Sequence, residues 1–259
     1  MSVREETLGI SFECGRGSNM KITKNLHWAI IVLLSISCGK NALRTSETAD
    51  PAEDATLKLE DQDPEAAIEI LEEALLDEPK NAMYTSILAT AYAQKAGVEP
   101  LQFAQKFVEN EANAANDSDD NEFTLMFAIT PDPTATVLSD INYSVTLLNS
   151  IAEANRLPGD EFKLAIFQTA AVVLQTKAFD ADLDGDITAE EIANLSASDA
   201  STILAALGNA STLLGGTSGD DTSSEAEGSI DNVISAINDS PGSTDQEKLQ
   251  NYLANNSNE

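Results

Sequence analysis

Residues 160–179 read Asp-Glu-Phe-Lys-Leu-Ala-Ile-Phe-Gln-Thr-Ala-Ala-Val-Val-Leu-Gln-Thr-Lys-Ala-Phe. Apolar side chains recur at helical spacing, at Phe162, Ile166, Phe167, Ala170, Val173 and Leu174. This pattern predicts a long amphipathic helix. A second stripe comprises Val137, Leu138, Ile141, Val145, Leu148, Ile151 and Ala152. Only 5% of the chain is aromatic and alanine is abundant, which favours closely packed helices over a sheet. We therefore expect an all-α fold.

The first helix leads directly into an acidic loop, residues 180–191, which read Asp-Ala-Asp-Leu-Asp-Gly-Asp-Ile-Thr-Ala-Glu-Glu. Carboxylates occupy alternate positions at its start, at Asp180, Asp182 and Asp184, and Gly185 then permits a sharp turn. Calcium takes six to eight oxygen ligands in a flexible shell, and a loop that wraps it needs such an arrangement. The loop resembles the calcium-binding loop of EF-hand proteins.

The EF-hand resemblance implies a role for each remaining loop position. Asp186 would offer its main-chain carbonyl, Thr188 would bind directly or through a water, and Glu191 would bind with both carboxylate oxygens. Ile187 should point inward and tie the loop to a neighbour, and Phe179 is the aromatic residue that EF-hands favour before the loop. The predicted ion is Ca²⁺, and its predicted ligands are Asp180, Asp182, Asp184, Asp186, Thr188 and Glu191.

An acidic turn that only caps a helix near Thr188 is the alternative, since Asp and Thr favour such positions. It does not account for Gly185, Ile187 and Glu191 at their spacing. EF-hands usually come in pairs, but no other acidic stretch of the chain supplies both the glycine and the distal glutamate. A lone hand would pair across a dimer, rest on other helices, or bind weakly.

Charge and histidine content exclude several classes of protein. The formal net charge of −30 disfavours binding to nucleic acid or to anionic lipid through charge. The single histidine, His27, lies in an N-terminal targeting segment, so the mature chain would lack Ser-His-Asp and Cys-His catalysis and the usual zinc sites. The chain contains no phosphate-binding loop, dinucleotide fingerprint or nucleophile elbow. We expect a protein that is not an enzyme, although a hydrolase that uses carboxylates alone stays open.

Met20 begins a segment of the secretory-signal type. Lys21 and Lys24 precede a short apolar run that ends in small residues, and the run is shorter than the roughly 20 apolar residues that span a bilayer. We therefore expect a cleaved signal peptide over residues 20–37. Residues 1–19 carry three glutamates that no signal peptide needs, which favours Met20 as the true start.

The end of this segment, residues 34–38, reads Leu-Ser-Ile-Ser-Cys and resembles the lipobox of bacterial lipoproteins. The resemblance implies that Cys38 becomes the lipidated first residue. The segment after it is polar, so we expect residues 38–50 to form a flexible tether. An ordinary signal peptide, or a buried apolar segment with a chance cysteine, is the alternative. Gly39 after the cysteine, rather than aspartate, implies delivery to the outer membrane, facing the periplasm, if the cell has two membranes.

The segment 51–112 resembles tetratricopeptide repeats over about residues 50–110. The spacing of the second repeat helix is matched by Ala67, Leu71, Ala74 and Pro79. The first helix of a following repeat is matched by Leu88, Ala89 and Tyr92. The resemblance implies a helical hairpin whose concave face binds a peptide or a partner protein. An ordinary hairpin inside a larger bundle is the alternative, because an array needs about three units and fewer than two are visible.

The sequence of the rest of the chain predicts three further segments. A helical bundle should occupy residues 122–214 and carry the single EF-hand loop. Residues 215–228 are rich in Gly, Ser, Thr and acidic side chains and predict a flexible linker, and residues 229–259 should form short C-terminal helices.

Together these features predict a calcium-binding, lipid-anchored protein of the bacterial cell envelope. We expect a non-enzymatic adaptor or structural module, in which calcium mainly stabilises the fold. A sensor that exposes an apolar partner-binding surface when calcium binds is the alternative, and a carboxylate-dependent envelope hydrolase is another. The expected partners are calcium, a membrane through the lipid, and a protein or peptide on the hairpin, but no nucleic acid.

Overall fold

Helices dominate the parts of the chain that the computed structural model describes, residues 50–106, 122–184, 187–216 and 221–255. Within these ranges no residue belongs to a β-strand, so the predicted all-α fold class is confirmed. The helices are α1 (Pro51–Glu60), α2 (Pro64–Asp77), α3 (Ala82–Lys95), α4 (Glu122–Ile129), α5 (Ala135–Ser150), α6 (Pro158–Lys177), α7 (Ala189–Ile192), α8 (Ala197–Gly216), α9 (Asp221–Asp239) and α10 (Asp245–Asn255). A 3₁₀ turn spans Glu153–Asn155, and residues 100–106 are also helical.

The first two helices begin at a proline that follows an aspartate cap. Asp50 Oδ1 accepts a hydrogen bond from the Ala52 N–H at 3.0 Å, and Asp63 Oδ1 accepts one from the Ala66 N–H at 3.2 Å. Proline suits the first helical position because the N–H that it lacks would have no helical partner there. Asn81 caps α3 in the same manner. The short sequence between successive helices thus sets where each one starts.

Most of the longer helices pack against the next long helix along the chain. Helix α2 packs between α1 and α3, α3 packs on α5, and α5 packs on α6. Helix α6 then contacts α8, which contacts α9, and α10 lies against both α8 and α9. The body is therefore a continuous series of packed helices, and the acidic loop follows the helix near the middle of the series.

Two helices contribute to more than one apolar core. Helix α3 joins the core formed with α1 and α2 to the core formed with α5 and α6. Helix α6 places Phe167 and Leu174 in that second core, and Val172 and Val173 in a third core with α8, α9 and α10. A helix that is apolar on several faces is stable only when it is buried on them. Helix α6 is therefore the central helix that holds the start of the acidic loop.

The helix bounds in the predicted tetratricopeptide-like segment agree with a hairpin. The small residues Ala67 and Ala89 are fully buried, as are Leu71 and nearly all of Leu88, so adjacent helices approach closely there. Tyr92 donates its hydroxyl to Glu72 at 2.8 Å. The relation to tetratricopeptide repeats itself stays a prediction.

The prediction of a flexible linker over residues 215–228 is wrong for its described part. Helix α8 continues to Gly216, and α9 already begins at Asp221. Ala226 is fully buried and Ser229 is 2% exposed, so α9 packs into the third core despite a composition of low helix propensity. Burial of an apolar face outweighs local propensity in such helices.

Several predictions concern residues outside the described ranges. These are the upstream residues 1–19, the signal peptide at 20–37, the tether at 38–49 with Cys38, and the loop residues Gly185 and Asp186. None of the described helices is both long and apolar enough to cross a membrane.

Candidate metal centre

The acidic loop starts where α6 unwinds. The Phe179 N–H donates to the Thr176 carbonyl at 3.0 Å, and the Asp180 N–H donates to the Lys177 carbonyl at 3.1 Å. These tight turns direct the chain away from the axis of α6 while Asp180 stays only 2% exposed. The first predicted ligand is thus held in a buried position directly after α6.

The carboxylates of Asp180, Asp182 and Asp184 converge. Each offers one oxygen, and the three oxygens lie within 4.8 Å of one another. Asp182 and Asp184 are exposed, so the cluster opens to solvent on one side. Three carboxylate oxygens on alternate residues are the donor set that hard cations such as Ca²⁺ prefer.

The electrostatics of the loop favour a cation. The charge of Asp184 is the main cause that raises the pKa of Asp182 above its ordinary value, and the charge of Glu191 adds to it. Because like charges at short range disfavour ionisation, a bound cation would relieve this repulsion. Glu191 is therefore close enough to the cluster to act on it.

Glu191 closes the loop through hydrogen bonds. Its Oε2 accepts from the Thr188 N–H and Oγ1, both at 2.8 Å, and its Oε1 accepts from the Ala181 N–H at 2.8 Å. These donors lower the pKa of Glu191, with the Thr188 backbone as the largest cause. Thr188 in turn caps α7 by accepting from the Glu191 N–H at 3.3 Å. The carboxylate at the last loop position thus connects both halves of the loop.

A comparison of the predicted ligands with the structure separates them into three groups. Asp180, Asp182 and Asp184 are brought together. Thr188 and Glu191 bond to each other, and Glu191 also bonds to Ala181 at the start of the loop. Glu191 is not among the three carboxylates that converge. Asp186 lies outside the described residues. The Asp182 backbone N–H also bonds to Glu191, so the protein itself occupies most of the acceptor sites of this carboxylate.

Ile187 anchors the loop to the protein interior, as predicted. It is 3% exposed and lies in the third core together with Ile192 and Leu195. Phe179 packs against the same core from the other end of the loop. Apolar contacts therefore fix the chain just before the loop, at Phe179, and again at its eighth residue, Ile187.

Two glutamines that sequence analysis did not single out hold the exit of the loop. Gln246 Nε2 donates to the Leu195 carbonyl at 2.7 Å, and Gln250 Nε2 donates to the Ile192 carbonyl at 3.1 Å. Both lie on α10, four residues apart and therefore on one helix face. That spacing was visible in the sequence, but their partners more than 50 residues away were not. Helix α10 thus supports α7 from outside the loop.

Lys177, the last residue of α6, is a second group that sequence analysis missed. Its Nζ donates to the backbone carbonyls of Phe127 at 3.2 Å, Thr130 at 3.1 Å and Pro131 at 3.4 Å, and lies 3.5 Å from Asp132 Oδ1. These carbonyls lie in the last turn of α4 and just beyond it, and the Phe127 carbonyl also accepts from the Thr130 N–H at 3.3 Å and Oγ1 at 3.2 Å. Lys177 fixes α4 to the helix that precedes the loop.

A third polar cluster joins α3 to the first turn of α6. Ser86 Oγ donates to Asp160 Oδ1 at 2.5 Å, and Lys163 Nζ donates to Ser86 Oγ at 3.2 Å. Asp160 Oδ2 also accepts from the Leu157 N–H at 3.1 Å, which caps α6. Burial lowers the pKa of Lys163, and the charge of Asp160 partly opposes this. These hydrogen bonds connect α3 to α6, which is a structural role for the cluster.

No family model matches the chain, and neither the curated proteins nor the solved structures include one with significant similarity to it.

Proposed function

We propose that this chain is a calcium-binding, lipid-anchored protein of the bacterial cell envelope that acts as a non-enzymatic adaptor or structural module. The convergence of Asp180, Asp182 and Asp184 within 4.8 Å is the observation that supports the proposal most strongly. Residues 180–191 would form a single EF-hand-like site, with calcium mainly stabilising the fold.

The chemistry of the donor set favours calcium over other metals. Zinc sites use cysteine and histidine, whereas the residues at this loop offer oxygen only. Magnesium demands near-ideal octahedral geometry and keeps several waters, while calcium accepts irregular shells of six to eight oxygens. Asp180, Asp182 and Asp184 would hold the ion. Glu191, the last residue of the loop, would bind it from the opposite end of the loop. Bound calcium would supply positive charge to a loop whose carboxylates repel one another.

A stabilising role follows from where the loop is attached. Phe179 and Ile187 pack into the third core, and α10 supports the exit of the loop through Gln246 and Gln250. A cation that draws the carboxylates together would therefore tighten α6, α7 and α10 against one another. Extracellular calcium modules bind at about 10⁻⁴ to 10⁻³ M, which suits an ion that is seldom scarce outside the cytosol.

Calcium titration of the Asp182→Asn variant tests the site directly. We expect calorimetry to detect one calcium site in the wild type and at least a tenfold weaker site in the variant, because a charged ligand is lost. Asp182 is exposed and repelled by Asp184, so the variant should remain folded. Asp77→Asn makes the same charge change at the exposed end of α2 and should bind calcium as the wild type does. Equal affinity in all three proteins would refute the site.

Lipid anchoring is tested by Cys38→Ser in a bacterium with two membranes. We expect the wild type to enter the detergent phase on phase separation and the variant to stay in the aqueous phase, because the acyl chains would be missing. Cys14→Ser is the matched control, since Cys14 precedes Met20 and should be absent from the mature protein. Aqueous partitioning of the wild type would contradict the anchor, and an effect of Cys14→Ser would contradict the start at Met20.

A further inference from the structure

The apolar side of the acidic loop is already covered by this chain. Ile187, the loop residue that points inward, is 3% exposed and belongs to the same core as Leu249, Tyr252 and Leu253 of α10. A second copy of the chain would therefore find no exposed Ile187 with which to pair, because the fold itself removes that side chain from water. The neighbour of this loop is part of the same molecule.

The helix that leaves the loop is too short to hold its own position. Helix α7 has only four residues, Ala189–Ile192, and a turn separates it from α8. A single helical turn is unstable alone, since helix nucleation is unfavourable. Helix α7 carries Glu191, the predicted ligand at the end of the loop. The element that holds α7 therefore also determines where Glu191 lies.

Helix α10 holds this exit segment at two points. Gln246 Nε2 bonds to the Leu195 carbonyl. Gln250 Nε2, one turn later on the same helix face, bonds to the Ile192 carbonyl. The later glutamine bonds to the earlier carbonyl, so α10 runs antiparallel to the exit segment. Because Ile192 directly follows Glu191, the bond to its carbonyl limits the movement of the Glu191 backbone.

The start of α10 is fixed independently of the loop. Glu247 Oε2 accepts from the Ser243 N–H and Oγ, both at 2.7 Å, and from the Thr244 N–H at 3.2 Å. Gly242 has a φ of +147°, and a β-carbon there would lie 2.8 Å from the Lys248 nitrogen, so the turn before α10 requires glycine. These contacts fix the first turn of α10 and with it the position of the two glutamines.

We infer that α10 takes the place of a second EF-hand, so that the calcium site is complete in one molecule, with Gln246 and Gln250 as positioning residues for Glu191. The inference rests on the calcium site proposed above and specifies what holds that site. Glu191 lies at the opposite end of the loop from Asp180, so a movement of α7 changes its distance from the acidic cluster. Loss of the two glutamine bonds should therefore weaken calcium binding without removing any ligand.

Calcium calorimetry of a double variant, Gln246→Met with Gln250→Met, tests the positioning role in the full chain. Methionine is a good helix former like glutamine, but its side chain has no N–H to donate. We expect at least fivefold weaker calcium binding than in the wild type. The matched control is Asn251→Leu, because Asn251 Nδ2 donates to the Pro241 carbonyl at 2.6 Å and not to α7. Its calcium affinity should equal that of the wild type.

Two further measurements separate positioning from general stability. A purely structural role would lower the unfolding midpoint in chelator but leave the calcium affinity of the folded protein unchanged. Calcium should slow hydrogen exchange of the α10 amides in the wild type and have a smaller effect in the double variant, because the bonds that link α10 to the loop are lost. Sedimentation velocity of the unlipidated chain, under reducing conditions that prevent cross-linking through Cys14 and Cys38, should show a monomer with and without calcium.

Two results would overturn the inference alone. Unchanged calcium affinity in the double variant would show that α10 does not position Glu191. A dimer that forms only when calcium binds would show that a second copy supplies the missing hand. A wild type that binds no calcium would instead refute the calcium site, and the inference with it, so the wild-type titration tells the two failures apart.

Discussion

Calcium is expected to raise the melting temperature of the wild-type protein, and Glu191→Gln is expected to abolish most of that rise. A ligand at a hundred times its Kd stabilises the folded state by about 2.7 kcal/mol. For a body of this size, each kcal/mol shifts Tm by about 2–4 °C. The substitution keeps the shape of the side chain but removes the charge that closes the loop between Ala181 and Thr188.

The matched control for this prediction is Glu190→Gln, an exposed carboxylate beside Glu191. It carries the same charge change but lies outside the predicted ligand set, so its calcium-dependent rise should match the wild type. Melting each protein in chelator separates the loss of calcium from the loss of the Glu191 capping bonds. If Glu191→Gln retains the full rise, Glu191 is not a ligand. If the wild type shows no rise in millimolar calcium, the stabilising role of the ion is refuted.

Lys177→Met is expected to destabilise the protein by about 1.5–3 kcal/mol, because it removes a charged donor that three carbonyl groups share at the end of α4. The methionine retains most of the apolar volume of the side chain, so the loss reports chiefly on the bonds to Phe127, Thr130 and Pro131. Urea unfolding followed by circular dichroism measures the effect, which should appear as a lower midpoint with an unchanged slope.

Lys80→Met is the control for this second prediction. Lys80 is exposed, in the turn between α2 and α3, whereas the side chain of Lys177 is only 11% exposed. Charged groups on the surface contribute only about 0–1 kcal/mol, so the control should unfold near the wild-type midpoint. Equal midpoints for the two variants would show that the carbonyl contacts of Lys177 add no more stability than an exposed lysine does.

Local patterns in the sequence predicted most of the helices, but they did not predict the contacts between residues that are distant in the sequence. The apolar spacing along residues 160–179 placed Ile166, Phe167 and Leu174 correctly in the interior. It did not reveal that Val172 and Val173 face a different core, because periodicity shows which positions are apolar but not which neighbour covers them.

In the candidate site, too, the local features could be predicted from the sequence and the long-range contacts could not. The alternating Asp180, Asp182 and Asp184 were recognisable because the acidic loop is local, and burial of Ile187 followed from its loop position. The carbonyl partners of Lys177 lie 46 to 50 residues away, and those of Gln246 and Gln250 lie 51 and 58 residues away. Only the packing of α4 and α10 brings these groups together.

The sharing of α3 and α6 between cores has a consequence for how the body loses its structure. Since each of these helices completes two cores, removing either one would expose apolar surface on both sides of it. The three cores are therefore expected to melt cooperatively, with little room for partial opening in the middle of the series. Free energy gained at one end of α6 would then protect helices that never touch the ion, including α1 and α2.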